Sequence, residues 1–462
     1  MSEKRREINP AEIENQRRIC REIFARNAQK STSPLACVDT YGCQQNEADS
    51  EILRGFLRDM GYGFTENEYE ADLILVNTCA VREHAEMRIL GNVGALNHTK
   101  KAKPGQIIVL CGCMAQQAHM PGRIKKSFPI VDLVFGPFDL WRFPELLLER
   151  LDGGKRVFAK SGGEGVLAED LPTARQSPCK AWLSIMYGCD NFCSYCVVPH
   201  VRGRERSRGK PQILADARAL VADGVKDITL LGQNVNSYGK DLGAGETFPA
   251  LLREISAVPG DFLIRFITSH PKDAGEELFR AMAESEKCAR HLHLPVQAGN
   301  DRVLRAMNRG YTAAEYLEKI RRLRELMPDL VLTTDIIVGF PGETEAEFED
   351  TLRLVAEARF DAMFTFLYSK RPGTPAANLP DPASRAEKQQ RFDRLLALAN
   401  GISAEKHAAY IGKTLRVLVD GDGAGRTNGG RLVRFTGDAA VGEFAEVKIT
   451  GSTTWSLEGE TV

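Results

Sequence analysis

Cys189, Cys193 and Cys196 stand in the stretch Tyr187-Gly-Cys-Asp-Asn-Phe-Cys-Ser-Tyr-Cys196, a C-x3-C-x2-C spacing. Three thiolates this close on one loop can ligate three irons of a 4Fe-4S cube and leave the fourth iron without a protein ligand, whereas structural clusters normally take four cysteines. An open iron can chelate the amino and carboxylate groups of S-adenosylmethionine and pass an electron to its sulfonium. Reductive cleavage then gives a 5′-deoxyadenosyl radical able to take hydrogen from an unactivated carbon. A zinc knuckle is the plainer alternative, but zinc sites usually take four ligands in pairs such as C-x2-C, and no second pair follows.

A second set of cysteines follows a topological rule rather than a spacing. Cys43 lies in Tyr41-Gly-Cys-Gln-Gln-Asn46, Cys79 in Val76-Asn-Thr-Cys-Ala80 and Cys113 in Leu110-Cys-Gly-Cys-Met-Ala-Gln116. Each directly follows an apolar strand candidate, at 35–41, 72–77 and 106–111. In an open parallel sheet the C-terminal strand ends share one crevice, where ligands bind. Glycines beside Cys43 and Cys113 let the backbone come close to a cluster. Small cysteines merely filling the sheet top are the alternative, which three equivalent positions argue against. Cys111 lies within its strand, and Cys20, Cys37, Cys179 and Cys288 carry no pattern; these are read as structural.

The elements that must position these thiols divide the chain. Residues 1–34 form a polar N-terminal extension, with helical stretches around 13–28, that reads as a tail or a loosely docked helix. Residues 35–151 alternate strands (35–41, 72–77, 106–111, 131–135) with helical patterns (46–60, 81–97), which predicts a parallel α/β sheet with helices on both faces. The Gly-rich stretch 152–176 reads as a linker or peripheral hairpin. Residues 175–402 carry six strand candidates, at 181–186, 227–231, 262–268, 291–296, 330–338 and 361–367, separated by helical patterns. This predicts an open, partial (β/α)6 barrel with its site at the C-terminal strand ends, and the three-cysteine loop follows the first strand. Residues 403–462 have short alternating strands with Gly-rich turns, at 414–420, 431–435, 444–449 and 454–458, which predicts a small antiparallel β-barrel.

Other polar residues fall at the barrel mouth. Leu231-Gly-Gln-Asn234 ends the second strand; Gly232 would permit close backbone approach, and Gln233 and Asn234 would bond the methionine end of the cofactor. Gln297 and Asp335 sit near strand ends and could bind its ribose or polar groups, or act only as caps. Arg202 could pair the cofactor carboxylate or a phosphate. The run Arg202-Gly-Arg-Glu-Arg-Ser-Arg-Gly-Lys210 is basic and is expected to contact RNA. Gly339-Phe-Pro-Gly-Glu-Thr344 reads as a turn into a capped helix.

The chain has 462 residues, a prior for about three domains. Its 43% hydrophobic and 27% charged content is ordinary for a globular protein. It has no apolar run of about 18 residues, and the charged start is not a secretory signal, so no membrane span and a cytoplasmic location are expected. There thiols stay reduced, and eleven cysteines point to metal binding or catalysis. The net charge of −1 says nothing for or against nucleic acid.

From about Leu35 onward the chain resembles the radical S-adenosylmethionine methylthiotransferases. The motifs are Gly42-Cys-Gln-Gln-Asn, Asn77-Thr-Cys, Gly112-Cys-Met-Ala-Gln, Gly188-Cys-Asp-Asn-Phe-Cys-Ser-Tyr-Cys and Pro199-His-Val-Arg-Gly-Arg-Glu. The resemblance implies an N-terminal methylthiotransferase domain, a radical SAM core and a C-terminal TRAM domain. It also implies two 4Fe-4S clusters: a radical cluster on Cys189, Cys193 and Cys196, and an auxiliary one on Cys43, Cys79 and Cys113. Family members modify N(6)-isopentenyladenosine beside the anticodon of tRNA, threonylcarbamoyladenosine in tRNA, or an aspartate of a ribosomal protein. The run Asn77-Thr-Cys-Ala-Val-Arg-Glu-His-Ala-Glu86, the segment Phe366-Leu-Tyr-Ser-Lys-Arg-Pro-Gly-Thr-Pro375 and the N-terminal extension resemble the first subgroup. The expected partners are a tRNA anticodon stem-loop and an electron donor such as flavodoxin or ferredoxin, and the expected state is a monomer.

Overall fold

Apolar runs six residues long, bounded by turn residues, build a parallel sheet at the N-terminal end of the chain. Its strand order is Gly63–Phe64, Leu35–Thr40, Leu73–Thr78, Ile107–Gly112, Leu133–Phe135 and Val157–Phe158, and every pairing is parallel. Leu73–Thr78 and Ile107–Gly112 are buried along their whole length, as central strands covered on both faces must be. A computed structural model describes residues 7–80, 83–159, 161–162, 165–243 and 245–462. Val81 and Arg82 of the substrate-subgroup run lie outside the described residues.

The chain separates into two compact units. The first comprises Met1–Gln176, Tyr187–Asp190 and Cys196–Arg206; the second comprises Ser177–Met186, Asn191–Tyr195 and Ser207–Val462.

In the first unit the expectation of a loose N-terminal helix is corrected. Pro10–Ala28 is a helix closed at its start by an Asn9–Glu12 capping box, and it buries Ile13, Ile19, Cys20 and Ile23. Its periodicity is weak because two inward positions are polar yet satisfied. Gln16 accepts from the Glu145 backbone at 3.2 Å, and Asn27 donates to the Met60 carbonyl at 2.9 Å. The expected linker also packs inward. Val157–Phe158 closes the sheet edge, Leu167 bridges to Glu7, and Pro172 lies so close to Gly55 that a Cβ there would meet the proline carbonyl carbon at 2.5 Å.

The second unit holds two three-stranded parallel sheets, Leu263–Phe266, Asp227–Leu231, Lys180–Ser184 and His291–His293, Val331–Val338, Ala362–Leu367. A parallel bridge from Ile264 to Cys288 continues one into the other, giving the partial (β/α)6 barrel. Residues 414–461 close into a five-stranded barrel, while the expected boundary at 403 falls inside the helix Arg385–Ala408; the barrel includes Ala424–Thr427, a strand too short and Gly-bearing to show in the sequence pattern. One of its pairings, Leu432–Thr436 with Leu457–Thr461, is parallel, so the expected all-antiparallel barrel is corrected in that detail. Arg431 and Asp361, both buried, form an ion pair that joins this barrel to the core of its unit, and Arg265 donates to the Thr427 and Asn428 carbonyls at 3.0 and 2.8 Å. Among the described residues no helix is long and apolar enough to cross a membrane.

Ile23 is 1% exposed, against the sheet-covering helices. Replacing it by Ala is expected to cost about 2–5 kcal/mol, the usual price of an Ile-sized cavity. The midpoint of denaturant unfolding measures this; an unchanged midpoint would return the helix to the status of a loose tail.

Candidate functional site

The crossover rule of parallel sheets places all strand ends of one polarity on one side. Leu35–Thr40, Leu73–Thr78 and Ile107–Gly112 are adjacent strands, and their C-terminal ends carry Cys43, Cys79 and Cys113. Cys43 caps the helix Gln44–Asp59, and Cys113 opens the short helix Cys113–Gln116. Asn46 stands between the thiols: its Oδ1 lies 3.5 Å from Cys43 Sγ and 3.9 Å from Cys113 Sγ. Asn46 Nδ2 donates to the Thr78 carbonyl at 2.9 Å, and Asn77 Nδ2 returns a bond to the Asn46 carbonyl at 2.9 Å. The two asparagines thus lock the first strand end to the second. Gly112, at φ 92°, locks the third: a Cβ there would sit 2.4 Å from the Thr78 carbonyl oxygen.

The thiols differ electrostatically. A hydrogen bond with Cys79 pulls the thiol of Cys43, an exposed residue, down to about 6, with help from Arg202 and the helix N-terminal amides. Burial pushes Cys113 up to about 11, opposed by Arg202. Three soft sulfur donors, one of them ionised near neutrality, suit iron–sulfur ligation. Among the described residues no three His, Cys, Asp or Glu side chains are grouped to hold one metal ion, and the corners of a cube are set wider apart than ligands of a single ion.

Arg202 was expected at a cofactor carboxylate or phosphate; the structure gives it other partners. It is 4% exposed, pairs with Asp49 at 2.6 Å, and donates through Nε to Cys113 Sγ at 3.1 Å and through Nη2 to Asn46 Oδ1 at 3.2 Å. Burial works against its charge, and Asp49, Cys113 and Cys43 outweigh it. The rest of the basic run has partners as well. Arg204 pairs with Asp190 at 2.8 Å, Arg206 donates to the Arg204 and Arg202 carbonyls, Arg208 reaches Asp216 at 2.7 Å, and Lys210 reaches Glu254 at 2.8 Å. Arg202, Arg206 and Arg208 are buried, whereas Arg204 is exposed and its pair with Asp190 lies at the surface.

In the second triplet, Cys189 and Cys196 are half-buried and belong to the first unit, and Cys193 is buried in the second. Gly188, at φ 80°, precedes Cys189 where a Cβ would meet the Arg204 carbonyl oxygen at 1.9 Å, so only glycine fits. Cys189 donates its backbone N–H to the Gly203 carbonyl at 3.1 Å, and Cys196 Sγ accepts from the Val198 N–H at 3.5 Å. Cys193 Sγ accepts from Arg309 Nη1 at 3.3 Å. The segment around it is pinned by Ser194, whose N–H and hydroxyl go to the Met307 and Ala306 carbonyls, and by Asn308, which donates to the Asn191 and Phe192 carbonyls.

The barrel strand ends carry a polar set. Gly232 is required for packing rather than for a cofactor: a Cβ would meet Met186 Cγ at 2.5 Å. Gln233 is half-exposed. Asn234 is buried and donates to Asp273 at 2.8 Å, and its Oδ1 has no partner. Gln297 adopts φ 72° and donates its N–H to the Asp335 carbonyl at 2.9 Å. Asp335 lies inside the strand Val331–Val338, not at its end, 3.5 Å from His293 Nε2. Beside Asn234 Oδ1, two further buried polar atoms have no partner, Ser269 Oγ and His270 Nε2. Sequence reasoning passed over both; their only signal is a polar pair directly after the third strand. Burial pulls His270 down to about 2, and its Nδ1 accepts from the Lys272 N–H, so the ring is neutral with its proton on Nε2. Orphaned buried polar atoms carry a cost of about 1–3 kcal/mol each, which a bound polar group or water removes. Their place is the side of the barrel where ligands bind.

Family models match three stretches: the radical SAM superfamily over residues 183–355, the uncharacterized protein family UPF0004 over 36–136, and the TRAM domain over 408–462. A tRNA-2-methylthio-N(6)-dimethylallyladenosine synthase from Acetivibrio thermocellus is 48% identical, over 98% of this chain and 97% of that protein. One from Thermoanaerobacter sp. is 47% identical over 98% of each. Among solved structures, the radical S-adenosylmethionine methyltransferase TsrM from Kitasatospora setae matches with a TM-score of 0.54 at 15% identity over 75% of each chain, a likeness of fold.

The unequal thiols are open to direct measurement. In protein freed of iron, Cys43 should alkylate first, its rate rising with pH through about 6 as the thiolate forms, while Cys113, buried and pushed up to about 11, stays unmodified at neutral pH. Peptide mass spectrometry after timed iodoacetamide treatment reads this; equal labelling of both would contradict the arrangement of Cys79, Asn46 and Arg202 around them.

Proposed function

The chain belongs to the radical SAM tRNA methylthiotransferases, and from that membership we propose that it transfers a methylthio group to carbon 2 of N(6)-dimethylallyladenosine, next to the anticodon of tRNA. The near-complete match to synthases of that name carries the substrate. The presence of two separate cysteine triplets supports a reaction with two clusters.

Radical SAM membership implies S-adenosylmethionine and one 4Fe-4S cluster. In our reading Cys189, Cys193 and Cys196 hold that cluster, and Cys43, Cys79 and Cys113 hold a second. When bound, these groups supply an electron to the sulfonium, a radical strong enough for an aromatic C–H, and a sulfur to be delivered. The chain's own residues bind and orient. Gln233 and Asn234 Oδ1 accept from the cofactor's amine, and His270 Nε2–H and Ser269 Oγ donate to its oxygens or to the base. Gln297 and Asp335 serve the ribose, and Gly232 keeps the second strand end close to Met186. Holding the reactants in place is the largest contribution a protein makes to such chemistry. A loop adenosine suits the reaction, since a base must leave its stack to be modified. The terminal TRAM barrel is our choice for tRNA contact. The reductant is a one-electron carrier such as flavodoxin or ferredoxin, the enzyme acts as a monomer, and its place is the cytoplasm, with its tRNA.

Mass analysis of tRNA nucleosides from cells lacking the protein tests the reading. Loss of 2-methylthio-N(6)-dimethylallyladenosine supports it. Loss of only the threonylcarbamoyl derivative, or of only a modified ribosomal aspartate, overturns it. With purified protein, Cys79→Ala should still yield 5′-deoxyadenosine but no methylthio product on an isopentenylated anticodon stem-loop. Cys193→Ala should yield neither and keep about half of the iron, since each triplet carries its own cluster. Normal product from Cys79→Ala would make the N-terminal cysteines structural.

A further inference from the structure

Each cysteine triplet has one buried arginine that donates an N–H to one of its sulfurs. Arg202 Nε reaches Cys113 Sγ at 3.1 Å, and Arg309 Nη1 reaches Cys193 Sγ at 3.3 Å. Both arginines are 4% exposed. Their surroundings differ in charge. Arg202 faces Asp49 at 2.6 Å, and both side chains are buried, so the pair is close to neutral toward the thiols. The other donors of Arg309 go to uncharged oxygens, Tyr311 Oη at 2.9 Å and the Pro295 carbonyl at 2.7 Å. Tyr311 in turn donates to the Val296 carbonyl at 2.9 Å. Among the described residues no carboxylate forms an ion pair with Arg309. A second cation, Lys272, reaches the loop that carries Cys193 and donates to Asn191 Oδ1 at 2.6 Å.

A buried cation without a carboxylate is costly unless an anion meets it. For Arg309 that anion is the ligated Cys193 sulfur with whatever charge the cluster carries. Reduction makes a cluster more negative, so an N–H donor to its sulfur and an unbalanced positive charge beside it both raise its potential. The N-terminal triplet has the donor but not the unbalanced charge.

Resting on the two-cluster reading above, we infer that Arg309, unneutralised, and Arg202, neutralised by Asp49, set the order of reduction, so that the barrel cluster takes an electron more readily than the N-terminal one. The step is a single electron: the external one-electron carrier is oxidised by one, the barrel cluster passes from the 2+ to the 1+ state, and no bond forms or breaks. The consequence is that electrons go where S-adenosylmethionine is cleaved and the sulfur-holding cluster stays oxidised. Arg309 and Asp49 are positioning residues in this scheme, acting through the cysteines.

The test is a redox titration of the full-length, fully loaded protein followed by low-temperature EPR. Signals are assigned with a variant lacking Cys43, Cys79 and Cys113 and one lacking Cys189, Cys193 and Cys196. The expected result is a higher potential for the barrel cluster in the unmodified protein. Arg309→Gln should lower that potential alone, Arg309→Lys should lower it less, and Asp49→Asn should raise the N-terminal potential alone, narrowing the gap. A reversed order in the unmodified protein overturns the inference, as does an unmoved barrel potential in Arg309→Gln with its iron intact. Should Arg309→Gln lose its cluster, Asp49→Asn decides: an unmoved N-terminal potential there overturns it. Iron and sulfide amounting to one cluster per chain in unmodified, fully loaded protein would defeat the two-cluster reading and this inference with it.

Discussion

A thiolate site on a sheet depends on bringing three strand ends close together without side chains in the way. Parallel pairing supplies the common direction. The remaining closeness is set by a few atoms: the Gly112 backbone against Thr78, and the exchange between Asn46 and Asn77. A larger residue at Gly112 would meet the Thr78 carbonyl oxygen at 2.4 Å as well as the Asn77 side chain, and backbone cannot step aside as a side chain can. The buried strands Leu73–Thr78 and Ile107–Gly112 provide the stiffness that lets so few contacts fix the thiol positions.

Buried charge is the second theme. Desolvation penalises every cation that leaves water, so each needs an acceptor. Arg202 finds Asp49 and a cysteine, Arg265 finds Asp227 at 2.7 Å with two carbonyls, and Arg431 finds Asp361 beside Lys406 and His407. These networks do more than balance charge. Arg265 and Arg431 tie the terminal barrel to the strands of its own unit, at Thr427 and Asn428 and at Asp361. A TRAM barrel held by such buried bonds has a fixed place in its unit rather than a tethered one.

The barrel mouth shows the reverse situation. Asn234 Oδ1, Ser269 Oγ and His270 Nε2 are buried without partners. Proteins retain such atoms where a ligand completes them. The neutral, Nε2-protonated His270 offers a donor whose state does not change over the physiological range, because burial holds its pKa near 2. Pre-set donors of this kind bind without reorganising.

The sequence alone determined the thiol sets and the order of domains. The C-x3-C-x2-C spacing is a local covalent fact, and three cysteines after three apolar runs fall on one side of a parallel sheet, where the adjacency of those three strands brings them together. The central strands Leu73–Thr78 and Ile107–Gly112 followed because each is a buried apolar run between turns, and the capped helix after Thr344 followed from its Thr-Glu spacing. Tertiary structure decided what each charge does. Nothing in the run from Arg202 to Lys210 tells that Asp49, Asp190, Asp216 and Glu254 are its partners, because the four are scattered along the chain and carry no pattern. Arg309 and its missing carboxylate were likewise invisible, as was the docking of the helix Pro10–Ala28 through polar Gln16 and Asn27. Periodicity reports burial of apolar side chains; it does not report which polar atom meets which, and that pairing is made only when the chain has folded.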